Sequence, residues 1–159
     1  MAEVVSNTSV LIALATIHQL PILEHLFSKI YIPPAVQLEM RDDVTQNALR
    51  TANWLVVRPP KDTLAVQVLQ SNLGTGESEA IILAKERSAD LILLDDLAAR
   101  SKAQLLGLRI IGTLGVLILA KSHGYLPLVK PGLDELKKAG FRMSDELCSQ
   151  VLARAKEVT

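Results

Sequence analysis

Cysteine, aromatic residues and net charge are all scarce in this 159-residue chain, and each shortage removes a class of protein. One cysteine, Cys148, cannot form an intrachain disulfide, so the fold must rest on its core, and a reducing, cytoplasmic setting is expected. Phe, Tyr and Trp make up 3% of residues, too few for a row of rings on which bases could stack. Lys+Arg and Asp+Glu number 17 each, which argues against non-specific nucleic-acid binding through bulk charge. No apolar run reaches the roughly 18 residues of a membrane span. The N-terminus "MAEVVSNTSV" lacks the charged stretch and long apolar stretch of a signal peptide. There is no G-x-x-x-x-G-K-[ST] phosphate loop and no G-x-S-x-G nucleophile elbow. "GTGESEA" follows a polar loop rather than a strand, so it is not a dinucleotide fingerprint. His18, His25 and His123 have no H-x-x-x-H spacing and read as surface or helix-end residues rather than zinc ligands.

What is present is a chain that is 49% hydrophobic, long enough for one domain with a sizeable core. "EVVSN", "KIYIPP", "WLVVRPP", "DLILLDD" and "LRIIGT" are short β-branched or apolar runs bounded by turn residues, and they read as five strands. Between them lie segments of helical length. These are "TSVLIALATIHQL" with "PILEHLF", then "PAVQLEMRDD" with Pro34 in its first turn, then "LAVQVLQ" as a short helix or turn. "GESEAIILAKERS" has Thr75 as a candidate N-cap, "LAARSKAQLLG" stops at Gly107, and "LGVLILAKSHG" stops at Gly124. "PGLDELKKAG" and "SDELCSQVLARAKEV", capped by Ser144, close the chain. Alternating strands and helices predict a three-layer α/β/α sandwich around a mostly parallel sheet, as one domain over residues 1–159. The C-terminal helices, about residues 131–158, pack either on that domain or on a partner. Leu147, Val151, Leu152 and Ala155 form the stripe that would do so.

In open parallel sheets, ligands bind beyond the carboxyl ends of the strands. Asn7, Thr8 and Ser9 follow the first strand, Asp95 and Asp96 the fourth, and Thr113 the fifth. All carry oxygen. Two adjacent aspartates at a strand mouth repel unless something positive sits between them. Glu77 shares a helix face with Ala80, Ile81 and Ala84, and Glu39 shares one with Ala35 and Val36, so both carboxylates sit at the margin of the core. There a carboxylate is costly unless paired, protonated or metal-bound. Each residue has a plainer reading: Asn7 or either aspartate as an N-cap, Glu77 as a first-turn acid, Glu39 as a solvated one. One hypothesis covers all of them. Hard oxygen donors converging on one crevice suit Mg²⁺ or Mn²⁺ and metal-assisted phosphodiester hydrolysis. Arg100 and Lys102, just after the aspartates, would meet phosphates or else stand as solvated helix charges.

The segments "VVSNTSVLIALA", "IPPAVQLEM", "GTGESEAIILA", "ADLILLDDLAAR" and "IIGTLGVLILAKSHG" occur in an order that resembles a PIN domain, most closely the VapC-type toxins of toxin–antitoxin pairs. The resemblance covers roughly residues 3–145. It implies a Mg²⁺- or Mn²⁺-dependent ribonuclease with an acidic site, an RNA substrate, a homodimer and a small antitoxin protein as partner. The family's acids fall on Asn7, Glu39, Glu77 and either Asp95 or Asp96. The position after the fifth strand falls on Thr113, and the small hydroxyl residues near the first acid on Thr8 and Ser9. Asn7 is neutral where the pattern has aspartate, so a one-metal or weakened site fits as well as a two-metal one. Two functions follow: a metal-dependent endoribonuclease, or a PIN-like module that binds a protein or RNA without cutting it.

Overall fold

The computed structural model describes residues 2–157; Val158, predicted as the end of the last helix, lies outside the described residues. Five strands form one sheet: β1 Val4–Ser6, β2 Ile30–Ile32, β3 Leu55–Val57, β4 Leu91–Leu93 and β5 Ile110–Ile111. All four pairings are parallel, in the order β3-β2-β1-β4-β5. Among the described residues ten helices join and cover them. The first six are α1 Thr8–Thr16, α2 Ile22–Phe27, α3 Pro34–Glu39, α4 Asp43–Leu49, α5 Thr63–Gln70 and α6 Thr75–Glu86. The others are α7 Leu97–Leu105, α8 Thr113–Ser122, α9 Lys130–Lys138 and α10 Asp145–Arg154.

Strand alternation divides the core. Val4 and Leu93 point to the face covered by α1, α2, α8, α9 and α10, while Val5, Ile92 and Leu94 point to the face covered by α5, α6 and α7. With both faces covered, the strands must be apolar throughout, which is why "VV" and "LILL" show no polar alternation. Leu93 is fully buried, and its truncation to alanine would cost ~2–5 kcal/mol.

Helix ends follow local chemistry. Gly107 and Gly124 take positive φ, as the predicted stops require. Ser144 accepts from the Leu147 amide at 3.0 Å and caps α10. Two boundaries differ from expectation, and a third segment takes one of its two expected forms. The helix predicted over "PAVQLEMRDD" ends at Glu39, because Asp42 accepts from the Thr45 amide at 2.9 Å and so starts α4 in what reads as a polar stretch. Thr75 is the first helical residue of α6 rather than its cap; Gly74 holds that place without a side-chain bond. "LAVQVLQ" is a full helix, α5, capped by Asp62 through the Ala65 amide. Val151 and Leu152 of α10 and Ala155 just after it are buried within this chain's own core, while Leu147 is 38% exposed.

Candidate metal centre

The strand order reverses direction between β1 and β4, and a crevice opens beyond the carboxyl ends of strands at such a switch point. The Asn7 amide donates to the Leu93 carbonyl at 3.0 Å, continuing the β1–β4 ladder one step past the strands. The Leu94 amide donates to the Ile111 carbonyl at 3.0 Å and does the same for β4 and β5. Asn7, Asp95 and Thr113 are thereby brought side by side at the rim of the sheet.

Asn7 occupies the N-cap position of α1, yet its side chain makes no capping bond. It is 5% exposed, and its Oδ1 is buried with no hydrogen-bond partner in the protein. Leaving a buried acceptor unpaired costs about 1–3 kcal/mol. The plain capping role is thus excluded for the side chain, and the oxygen has no partner in the protein.

Glu39 meets Asn7 across Gly76. A Cβ on Gly76 would overlap Glu39 Oε1 and lie 3.5 Å from Asn7 Oδ1, so both oxygens stand over a bare Cα in the first turn of α6. The sequence signal for this cradle was the small residue in "GTGESEA", and only the fold reveals what it admits. Glu79 fixes the geometry from behind: its Oε1 accepts from the Ala35 amide at 3.2 Å and latches α3 onto α6.

Glu77, one residue past Gly76, is part-buried. Burial works first to raise its carboxyl above the ordinary carboxylate range. The Asp96 charge, a hydrogen bond between the two carboxyls and the Glu39 charge act in the same direction, against the Gly74 amide. Glu39, Glu77 and Asp96 therefore share one electrostatic neighbourhood.

The structure separates the two aspartates that sequence spacing left equivalent. Asp96 is exposed and caps α7, accepting from the Ala99 amide at 2.9 Å. Asp95 turns to β5, accepting from the Thr113 amide at 2.8 Å and from the Thr113 hydroxyl at 2.6 Å. Thr113 is fully buried and its proton is committed to Asp95, so it orients that carboxylate rather than reaching outward. Gly112 provides a second cradle: a Cβ there would lie 2.6 Å from Asp95 Oδ1 and 3.0 Å from Arg100 Nη1.

Not every candidate joins the cluster. Thr8 and Ser9 have buried hydroxyls without partners, but Ser9 opens onto the groove between α1 and α9 beside Ile12 and Leu136. Lys102 lies two residues beyond Arg100 on α7 and cannot share its face. Ser78, fully buried with an unpartnered Oγ, went unnoticed in the sequence because it sits inside an apolar helix.

Among the described residues, no three His, Cys, Asp or Glu side chains are arranged to hold an ion by themselves. Asp95 and Asp96 each rest on local donors. A cation here would draw on the neutral Asn7 oxygen together with carboxylates. The orphaned Oδ1, the two glycine cradles and the all-oxygen donor set fit a hard divalent ion.

These features define an α/β protein with an oxygen-donor crevice at the switch point of an all-parallel sheet. A family model described as a PIN domain (DUF3368) matches residues 3–157. The chain belongs to this PIN-domain family, whose members generally have a nuclease fold and usually bind divalent metals. It is similar to a solved PilT N-terminus domain protein from the hyperthermophilic archaeon Sulfolobus solfataricus P2. The two are 24% identical, with 73% of this chain and 90% of that one covered and a TM-score of 0.44. No curated protein matches the sequence. Among the described residues no helix is long and apolar enough to cross a membrane.

Proposed function

We propose that this protein is an endoribonuclease that hydrolyses RNA phosphodiester bonds with a Mg²⁺ or Mn²⁺ ion. We assign it as the toxin of a toxin–antitoxin pair: a cytoplasmic homodimer held in check by a small antitoxin protein. The observation that carries the nuclease reading is the buried, unpartnered Asn7 Oδ1 facing the Glu39 carboxylate over Gly76. The ordered set of motifs that resembles VapC-type toxins supports the toxin assignment.

Asn7, Glu39 and Asp95 would hold the ion, with Glu77 and Asp96 beside it. When bound, the cation activates water and neutralises charge developing on the phosphate. Glu77 would accept the water's proton on its carboxylate, because burial and its acidic neighbours raise its carboxyl and make it a stronger base. Thr113 fixes the orientation of the Asp95 carboxylate through its hydroxyl. Arg100, beside Gly112, meets the phosphate.

The test is hydrolysis of a mixed RNA pool by wild type, Asn7→Asp and Glu77→Gln, with and without Mn²⁺. Wild type cleaves only with Mn²⁺, Asn7→Asp cleaves as fast or faster, and Glu77→Gln does not cleave. Cleavage at full rate by Glu77→Gln identifies a contaminating nuclease. A second reading, a PIN-like module that binds without cutting, is favoured by the uncharged Asn7 and by the lack of a ready acidic triad among the described residues. Absence of cleavage by both wild type and Asn7→Asp, across varied RNAs, selects that reading. Co-purification with the product of a neighbouring small reading frame tests the antitoxin.

A further inference from the structure

A groove of about 660 Å³ runs from the acidic crevice along the open edge of β5 to α10. Asp95 and Gly112 belong to both, so the groove and the crevice are continuous. Its walls carry three arginines: Arg100 from α7, Arg142 from the turn before α10, and Arg154 from the end of α10. Among the described residues Asp95 is the only acid that lines it. None of the three arginines forms an ion pair among the described residues. Arg142 and Arg154 are exposed, and Arg100 is half-buried. The floor is apolar and includes Phe141, one of the chain's few aromatic rings. A neutral protein has thus gathered unpaired cations of one type along a single path that ends at its oxygen-donor site.

We infer that this groove is the track for a single-stranded RNA, its phosphates on Arg142 and Arg154 and its bases against the apolar floor and Phe141, delivering the backbone past Arg100 to the crevice. The inference rests on the nuclease reading for the identity of the polyanion. Charge and shape support it further. Guanidinium forks match phosphate oxygens bidentately. A basic groove with an aromatic or apolar bed is the common solution for single strands, whose bases are free to lie down. A duplex keeps its bases stacked inside and offers nothing to the floor. The segment 141–154 then has a dual function, sealing the core through Val151 and Leu152 while presenting Arg142 and Arg154 on its outer side.

The experiment measures binding of a fluorescein-labelled single-stranded RNA of about ten nucleotides by anisotropy, without divalent metal, over a series of salt concentrations. The proteins are wild type, R142A/R154A and R142K/R154K, with melting temperatures confirming that each is folded. The double alanine variant binds about tenfold more weakly, and its log–log salt slope is shallower by roughly 0.7 for each arginine lost. The double lysine variant keeps the slope of wild type. Equal affinity and equal slope in wild type and R142A/R154A overturn the track and make the groove a seat for something other than RNA. The two readings fail separately. If wild type binds with the expected slope yet never cleaves, the track stands and the nuclease falls. If wild type cleaves and the alanine variant matches it in affinity and slope, the nuclease stands and the track falls.

Discussion

Substituting alanine for Gly76 separates metal binding from stability, because the new methyl acts on one side chain only. Its Cβ overlaps Glu39 Oε1, the far end of a flexible and exposed side chain, and comes no closer than 3.5 Å to Asn7 Oδ1. The fold yields cheaply, by swinging the Glu39 carboxylate away. In exchange, alanine is up to ~1 kcal/mol better than glycine within a helix. For a chain of this size that amounts to a rise of about 2–4 °C in melting temperature without metal. Metal binding changes in the opposite sense. At a Mn²⁺ concentration of about 100 Kd, a native-state ligand stabilises wild type by ~2.7 kcal/mol. If loss of Glu39 weakens the site about tenfold, the same concentration gives ~1.4 kcal/mol. Scanning calorimetry with and without Mn²⁺ therefore finds a metal-free protein as stable as wild type or more so, with the metal-induced gain roughly halved. RNA cleavage falls with it. A Gly76→Ala protein that keeps the full Mn²⁺ shift and full cleavage refutes the placement of Glu39 at the site.

Three further outcomes follow from named contacts. Thr113→Val removes the 2.6 Å hydroxyl bond to Asp95, which costs ~1.5–3 kcal/mol in a denaturant melt and lowers cleavage, while Thr113→Ser retains both. Glu77→Gln makes the metal-free protein more stable than wild type at neutral pH. The native Glu77 carboxyl lies above its unfolded value, so wild type loses stability as pH rises through that value; melts from pH 4 to 8 show the two proteins converging at the acid end. Glu157 behaves with the opposite sign. Desolvation works to raise its carboxyl, but the Val129 amide at 2.6 Å, Lys121 Nζ at 3.0 Å and the Lys130 amide at 3.1 Å outweigh it and hold it low. Its contribution is present at neutral pH and is lost as pH falls through the native value, so Glu157→Gln melts lower at pH 7 and loses less on acidification. Equal pH profiles for variant and wild type would contradict the clamp.

The strands and their parallel sheet were legible because a sheet covered on both faces demands unbroken apolar runs, and "VVS" and "LILL" supply them; the order in which they pair was not. Helix α4 was not legible, since "DVTQNAL" has almost no apolar period and is set by one capping aspartate. The candidate site was legible as residue types at strand ends, but its geometry was not. Asp95 and Asp96 have the same chemistry, and only the neighbouring Thr113 and the start of α7 tell them apart. Glu39 and Asn7 lie far apart in the chain and meet over a glycine whose role is to have no side chain. Arg142 and Arg154 carry no local signal at all, because what gives them meaning is the open edge of β5 across the groove.

The sheet order also dictates when, during synthesis, the crevice can come into being. β1 is the central strand, yet its partner on one side, β4, is separated from it by most of the sequence: Val4 aligns with Leu91 and Ser6 with Leu93. A ribosome that has released only β1, β2 and β3 holds half a sheet with a bare apolar edge, the kind of surface that invites mispairing. Closing that edge requires a loop of some eighty residues, a non-local step that is slow compared with helix formation. Asn7 gains its anchor on β4 only at that moment, since its own amide docks on Leu93. Chains cut short before Asp95 therefore carry Asn7, Glu39 and Glu77 but not the β4 mouth that completes the crevice.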